Sequence, residues 1–416
     1  MPPVIRVALD TLGCKLNQAD TEAMARRLAE AGFCLVSPDE QYDVYVLNSC
    51  TVTAVADTKA RRLLRLAYRR SPQAALILTG CFPESITSKV KELSNLKLIL
   101  PGRKQLELVR KISELGYSGG SASGLTGLSR TRAFVKAQEG CSNLCAYCVV
   151  PYMRGKEVSR PPGEVVKEVR RCVSEGYQEV VLTGTEIGAY RYDGVGLEAL
   201  LGLILAETGI ARLRVSSLQP PEITTSLLKL WENPRLCPHF HLSLQSGSDA
   251  VLRRMRRRYD SMGYERVVTT IRELVAGAAI TTDVIAGFPG ETASEFEESL
   301  LVCERLGFAR IHVFTFSPRP GTAAASMPGQ VTEQVKKLRT GHLLELARES
   351  ARQFQAGFLE QRLDVLWEKE KNGVWSGYTA NYLRIYARSI EMLANRITKA
   401  ELLKLYKDGV LGEVRE

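Results

Sequence analysis

The sequence predicts an α/β protein in three parts: a doubly wound α/β domain, a partial (β/α)6 barrel of the TIM type and a small C-terminal β-barrel. Three observations carry that expectation. Strand-like and helix-like segments alternate from residue 4 to about residue 357, the pattern of parallel sheets covered by helices. The alternation breaks once, at G-Y-S-G-G-S-A-S-G-L-T-G over 116–127, a Gly/Ser-rich stretch that reads as a linker. After a long helical pattern at 332–358 the chain changes to short, aromatic-rich strands. The expected parts are therefore 1–115, a linker over 116–130, a barrel over 131–357 and a final domain over 358–416.

In the first part, strands at 4–9, 44–48, 75–79 and 96–100 alternate with helices at 20–31, 57–70 and 85–93. Cys14, Cys50 and Cys81 each follow a strand, in T-L-G-C-K-L-N, L-N-S-C-T-V-T and T-G-C-F-P. Ligands of open α/β sheets bind beyond the carboxyl ends of the strands, so these cysteines are expected to converge on one sheet edge. A single cysteine is more often a small core residue than a ligand. Three at equivalent strand ends point to a metal instead. Cys34, Cys172, Cys237 and Cys303 lack that placement and read as structural. The helix over 58–70 carries six basic residues and no acid, which suits either a solvated face or a phosphate-binding surface.

In the second part, strands are expected at 133–137, 179–184, 212–216, 239–244, 280–286 and 310–316. Active sites of such barrels lie at the C-terminal ends of the strands. The loop after the first strand holds Cys141, Cys145 and Cys148 in C-x3-C-x2-C spacing, followed by Pro151-Tyr152-Met153-Arg154-Gly155. Zinc sites usually pair their cysteines as C-x2-C. Three thiolates on one short loop suit a 4Fe–4S cluster, leaving one iron open for a substrate or cofactor. A structural zinc loop completed by a distant cysteine is the competing reading. The second loop, Thr183-Gly184-Thr185-Glu186-Ile187-Gly188, has glycines for close backbone approach and a carboxylate suited to an ammonium group. His239 and His241 share a strand face, where hydrogen bonding within the core is favoured over metal binding. Ser243 and Gln245 beyond them are candidate cofactor contacts. The arginine-rich run 253–258 suits RNA contact or a solvated helix. In the last part Trp375, Tyr378, Tyr382 and Tyr386 suit either base stacking or core packing.

Composition bounds the rest. The chain has 416 residues, 45% of them hydrophobic, and a net charge of +10, which favours an acidic partner such as nucleic acid. No apolar run reaches the length of a membrane span, and the N-terminus has no signal-peptide pattern, so a cytoplasmic protein without a membrane partner is expected. Ten cysteines in a reducing compartment argue for metal or catalysis rather than disulfides.

The C-x3-C-x2-C loop resembles the signature of the radical S-adenosylmethionine (SAM) enzymes. With the three strand-end cysteines, the whole chain resembles the methylthiotransferases of that superfamily. The resemblance implies an N-terminal cluster domain, a radical-SAM barrel and a TRAM RNA-binding domain. It implies two 4Fe–4S clusters: an auxiliary one on Cys14, Cys50 and Cys81, and a SAM-cleaving one on Cys141, Cys145 and Cys148. Gly184, Thr185 and Glu186 fall at the family's motif for the SAM amino group, and Tyr147 where an aromatic ring borders the adenine. Three motifs, T-L-G-C-K-L-N-Q-A-D-T-E-A-M at 11–24, L-N-S-C-T-V-T-A-V-A-D at 47–57 and S-P-R-P-G-T-A-A-A-S-M-P-G-Q-V at 317–331, resemble the branch that acts on N6-threonylcarbamoyladenosine in the tRNA anticodon stem-loop. That branch adds a methylthio group to carbon 2, with an external electron donor and a sulfur source. The alternatives are the isopentenyladenosine branch, a ribosomal-protein methylthiotransferase and, further off, a non-catalytic iron–sulfur or zinc RNA-binding protein.

Overall fold

The structure, a computed structural model, describes residues 4–82, 90, 92–120 and 131–415. The helix expected over 85–93 falls largely outside these residues, as does the linker from 121 to 130. Two compact units form. One takes in Met1–Ser129, Glu139–Asn143 and Cys148–Glu157, and the other Arg130–Gln138, Leu144–Tyr147 and Val158–Glu416.

The first unit holds strands β1 (Arg6–Thr11), β2 (Cys34–Val36), β3 (Val44–Ser49), β4 (Ala75–Gly80) and β5 (Leu96–Pro101) in one sheet of order β2-β1-β3-β4-β5. Every pairing is parallel. Strands β3 and β4 are buried at all positions, as expected for central strands covered on both faces. Alternation along β3 divides the core. Val44 and Val46 pack with Met24 and Leu28 of helix α1 (Lys15–Glu30), whereas Tyr45 and Leu47 pack with Ala60 and Leu64 of helix α2 (Ala54–Arg70). This is the doubly wound arrangement read from the sequence. Helix α1 starts five residues earlier than expected, because its first turn, K-L-N-Q, carries too little apolar periodicity to signal a helix.

In the second unit, β6 (Arg132–Lys136), β7 (Glu179–Thr183) and β8 (Arg212–Val215) form one sheet. Strand β9 (Ser217–Leu218) follows β8 after a single residue. It opens a second sheet with β10 (His239–Leu242), β11 (Ala279–Ala286) and β12 (Arg310–Thr315). All pairings are parallel and sequential. One bent strand thus joins the sheets into the expected partial barrel. Val135, Leu182, Leu213, Leu242 and Val284 belong to its core.

The C-terminal strands β13 (Arg362–Lys371), β14 (Val374–Thr379), β15 (Arg384–Arg388), β16 (Ile397–Tyr406) and β17 (Gly409–Arg415) close into a barrel of order β13-β14-β15-β17-β16. Strand β17 was not anticipated. A tight Lys407-Asp408 turn doubles the chain back on β16.

Charge ties this small barrel to the larger one. Glu179 and Arg214 are both fully buried and paired in a fork, with Nε–Oε1 2.8 Å and Nη2–Oε2 3.1 Å. Arg132 Nε lies 3.0 Å from Glu179, and its Nη2 2.6 Å from Glu368. Arg212 donates to the carbonyls of Tyr378 and Asp364, and Arg214 to that of Ala380. Tyr378 and Tyr382 stack at 4.8 Å, with guanidinium groups of Arg132 and Arg214 over the Tyr382 ring. Of the two roles open to these tyrosines, the structure shows packing. Burial would raise the Glu179 carboxyl pKa, but Arg214 and Arg132 outweigh it and hold it below the usual range. Replacing Glu179 with alanine strands buried guanidinium groups, so a loss of about 3–5 kcal/mol is expected in chemical denaturation.

Candidate active site

The parallel register brings the first cysteine set together. Thr11 of β1 pairs with Asn48 of β3, and Asn48 with Thr79 of β4, so the three following loops leave the same sheet edge. Cys14 caps α1, Cys50 follows β3 and Cys81 follows β4. Asn17 braces two of the turns, since its Nδ2 donates to the carbonyls of Leu12 and Ser49, both at 2.8 Å. Gly13 has φ +121°, and a β-carbon there would stand 2.6 Å from Cys50 Cβ, an approach that only glycine permits. Cys14 is exposed, whereas Cys50 and Cys81 are buried. Burial pushes the Cys50 thiol up to about 11, and negative charge on Cys14 and Cys81 adds to the shift. The Cys81 thiol is raised as well, chiefly by burial and against the pull of Arg154. Three clustered thiols, two of them costly to ionise alone, are a donor set that a soft metal centre satisfies.

Arg154 ends the short helix α3 (Val150–Arg154) that follows Cys148. Its Nε donates to Cys81 Sγ at 3.2 Å, and its Nη atoms reach Asp20, Glu139 and Asn17. Within the same unit, the backbone N–H of Cys141 donates to the carbonyl of Gly155 at 3.0 Å.

In the second unit, Arg257 Nη1 donates to Cys145 Sγ at 3.2 Å, Nη2 to Gln219 Oε1 at 3.0 Å and Nε to the Tyr259 hydroxyl at 3.0 Å. Gln219 Nε2 in turn donates to Glu186 Oε1 at 2.6 Å. Glu186 is buried, receives Arg258 at 3.5 Å and lies against Glu222. Burial and this neighbouring carboxylate push Glu222 up to about 7. The glycines expected to allow close approach do so. A β-carbon on Gly184 would meet Gln138 Oε1 at 2.8 Å, and one on Gly188 would overlap Glu222. Two adjacent carboxylates, that of Glu186 buried, are a receptor for an ammonium group. Tyr147 packs edge-on to Phe288 at 6.4 Å, and Phe288 to Phe316 at 5.4 Å. Ser243 Oγ donates to Asp283 at 3.0 Å, and Gln245 sits at φ +67° beside Val284. His241 lies 2.9 Å from Thr281 and 3.1 Å from Asp283, and the His239 ring packs tilted against Tyr382 at 4.9 Å, so both histidines serve the core.

Sequence reasoning missed Arg154, Arg257, Gln219 and Glu222 as members of these sites. Arg257 was legible only as part of a basic run. In fact Arg253, Arg256 and Arg258 are exposed, Arg254 pairs with Glu295, and Arg257 turns inward.

Comparison with known proteins agrees with this architecture. Residues 135–303 match the radical SAM superfamily, and residues 6–101 match the uncharacterized protein family UPF0004. The radical SAM methyltransferase TsrM from Kitasatospora setae superposes with a TM-score of 0.57 at 15% identity, covering 78% of this chain and 77% of its own, which establishes likeness of fold. Residues 135–303 therefore form a radical SAM domain. The threonylcarbamoyladenosine tRNA methylthiotransferase MtaB of Thermotoga maritima is 36% identical, covering 98% of this chain and 96% of its own. Its Bacillus subtilis counterpart is 32% identical, covering 99% and 97%. A tRNA-2-methylthio-N(6)-dimethylallyladenosine synthase from Geobacter sulfurreducens is also 32% identical, covering 98% and 96%. The chain belongs to the radical SAM methylthiotransferase family. Membership implies SAM and a 4Fe–4S cluster, for which the buried Glu186 beside Glu222 and the Cys145 sulfur that accepts from Arg257 are donors of suitable chemistry. No described helix is long and apolar enough to cross a membrane.

In metal-free protein near pH 8, exposed Cys14 should react first with iodoacetamide. Cys50 should lag by about tenfold or more, because so little of it is thiolate. Peptide mass spectrometry over time reads both rates.

Proposed function

We propose that this chain transfers a methylthio group to carbon 2 of N6-threonylcarbamoyladenosine beside the anticodon of tRNA, using SAM and two 4Fe–4S clusters. The observation that carries the substrate is the near-full-length similarity to relatives named for it, at 32% and 36% identity. The similarity to dimethylallyladenosine synthases, 32% identical for one of them, favours isopentenyl-type adenosine as the second reading.

An aromatic C–H at carbon 2 is neither acidic nor electrophilic, and the radical chemistry it needs is supplied by the bound cofactors. The chain's own residues bind, orient and charge-balance. Cys141, Cys145 and Cys148 hold the SAM-binding cluster, and Arg257 donates to the Cys145 thiolate. Glu186, kept in place by Gln219 and joined by Glu222, takes the SAM ammonium, with Gly184 and Thr185 lending backbone. Tyr147 borders the adenine, and Ser243 and Gln245 complete the contacts. Cys14, Cys50 and Cys81 hold the auxiliary cluster. An external donor supplies electrons, and a separate source supplies sulfur. Residues 116–130 link the first part to the barrel, and the C-terminal barrel, of TRAM type, contributes to RNA binding. Exposed Arg62, Arg65 and Arg69 on α2 add a phosphate-binding face.

The test is anaerobic reconstitution with iron and sulfide, then incubation with SAM, reductant and threonylcarbamoyl-modified tRNA, and nucleoside mass spectrometry. A 2-methylthio product is expected. SAM cleavage without a product on this tRNA, but with one on isopentenyladenosine tRNA, would move the substrate to the second reading. Cys145→Ala should abolish SAM cleavage, whereas Cys50→Ala should keep it and lose thiolation. A Cys50→Ala protein that still thiolates would refute the assignment of the auxiliary site.

SAM affinity should also depend on pH. Below about 7 Glu222 holds a proton that the ammonium must displace. The Kd for SAM should therefore rise as pH falls from about 8 to about 6, by up to about tenfold per unit. Glu222→Gln should flatten that profile in equilibrium binding.

A further inference from the structure

Arg154 links the segment that carries Cys148 to the first cysteine set, and nothing in the assigned chemistry uses it. Its side chain is 3% exposed. All three guanidinium nitrogens are engaged. Nε donates to Cys81 Sγ at 3.2 Å, Nη1 to Glu139 at 2.7 Å and Asp20 at 3.1 Å, and Nη2 to Asn17 Oδ1 at 2.6 Å and Asp20 at 3.1 Å. Asn17 is the amide that braces the carbonyls of Leu12 and Ser49, just ahead of the Cys14 and Cys50 turns. Arg154 therefore touches one of the three cysteines and steadies the turns of the other two through one intermediate.

Ion pairing alone does not account for this geometry. Asp20 and Glu139 already neutralise the guanidinium, yet Nε is aimed at sulfur. A neutral thiol is a weak acceptor, whereas a thiolate makes a strong charge-assisted bond. In so buried a place a thiolate persists when a metal holds it. Hydrogen bonds to the sulfurs and local charge are what set the potential of an iron–sulfur cluster.

We propose that Arg154 is a positioning residue that raises the reduction potential of the auxiliary cluster through its bond to the Cys81 thiolate, with Asp20 as the opposing charge. The inference rests on the reading of Cys14, Cys50 and Cys81 as cluster ligands. Reduction adds negative charge to the cluster. A buried cation with a donor on sulfur favours the reduced form, and a buried carboxylate beside it disfavours that form.

The two side chains must then act with opposite signs, which a merely structural role does not require. The experiment loads full-length wild type, Arg154→Gln, Arg154→Lys and Asp20→Asn anaerobically with 57Fe. Clusters are counted by Mössbauer spectroscopy, and each potential is titrated by electron paramagnetic resonance. The auxiliary potential should fall in Arg154→Gln, fall less in Arg154→Lys and rise in Asp20→Asn. Each shift should exceed that of the SAM-binding cluster in the same sample. Should Arg154→Gln fail to load, Arg154→Lys and Asp20→Asn decide by the same signs. Unchanged potentials in loaded variants, or shifts in one direction for both residues, would overturn the proposal. A wild-type chain holding one cluster would instead overturn the reading of the three cysteines, and the inference with it.

Discussion

Parallel strand pairing is the constraint on which the functional residues of both units depend. When neighbouring strands run the same way, the loops that follow them emerge at one edge. Cys14, Cys50 and Cys81 are far apart in sequence and meet because β1, β3 and β4 are aligned in register. The same rule in the barrel sends the loops after β6, β7, β9 and β10 to its C-terminal end, where Glu186, Gln219 and Ser243 stand. The helices and the apolar faces of the strands keep that alignment, and the loops are left to carry chemistry.

Buried charge is the second theme, and it is used in two ways. At the strand beginnings, Glu179 is surrounded by arginines that reach across to carbonyls of the small C-terminal barrel. There the charges fix how two folded parts pack. At the strand ends, Arg154 and Arg257 each place a guanidinium on a cysteine sulfur. A buried arginine needs partners, and a thiolate held by metal is a partner of the right charge. The same residue type therefore pairs with carboxylate and carbonyl groups in one setting and with cysteine sulfur in the other.

Most of this fold was legible in the sequence, because its strands are buried runs flanked by turns and its long helices are periodic. Helix α2 and the long helix over Glu333–Ala356 fall close to where their patterns put them. Helix α1 began early, since burial there serves Asn17, Asp20 and Glu22 as well as apolar groups. The convergence of Cys14, Cys50 and Cys81 on one sheet edge was legible from their places just after the strands. The arginines were not, because an arginine in sequence looks the same whether it faces water or sulfur. Glu222 gave no signal either. It follows two prolines in a short turn, and only the fold brings it to Glu186.

The central claim is that the strand-end cysteines form a metal centre separate from the one on the C-x3-C-x2-C loop. The most direct measurement is iron content with Mössbauer spectra of anaerobically reconstituted wild type and a Cys14→Ala/Cys50→Ala/Cys81→Ala chain. The account predicts two 4Fe–4S signals in the wild type, and one signal with half the iron in the variant. Equal iron in the two proteins would contradict it.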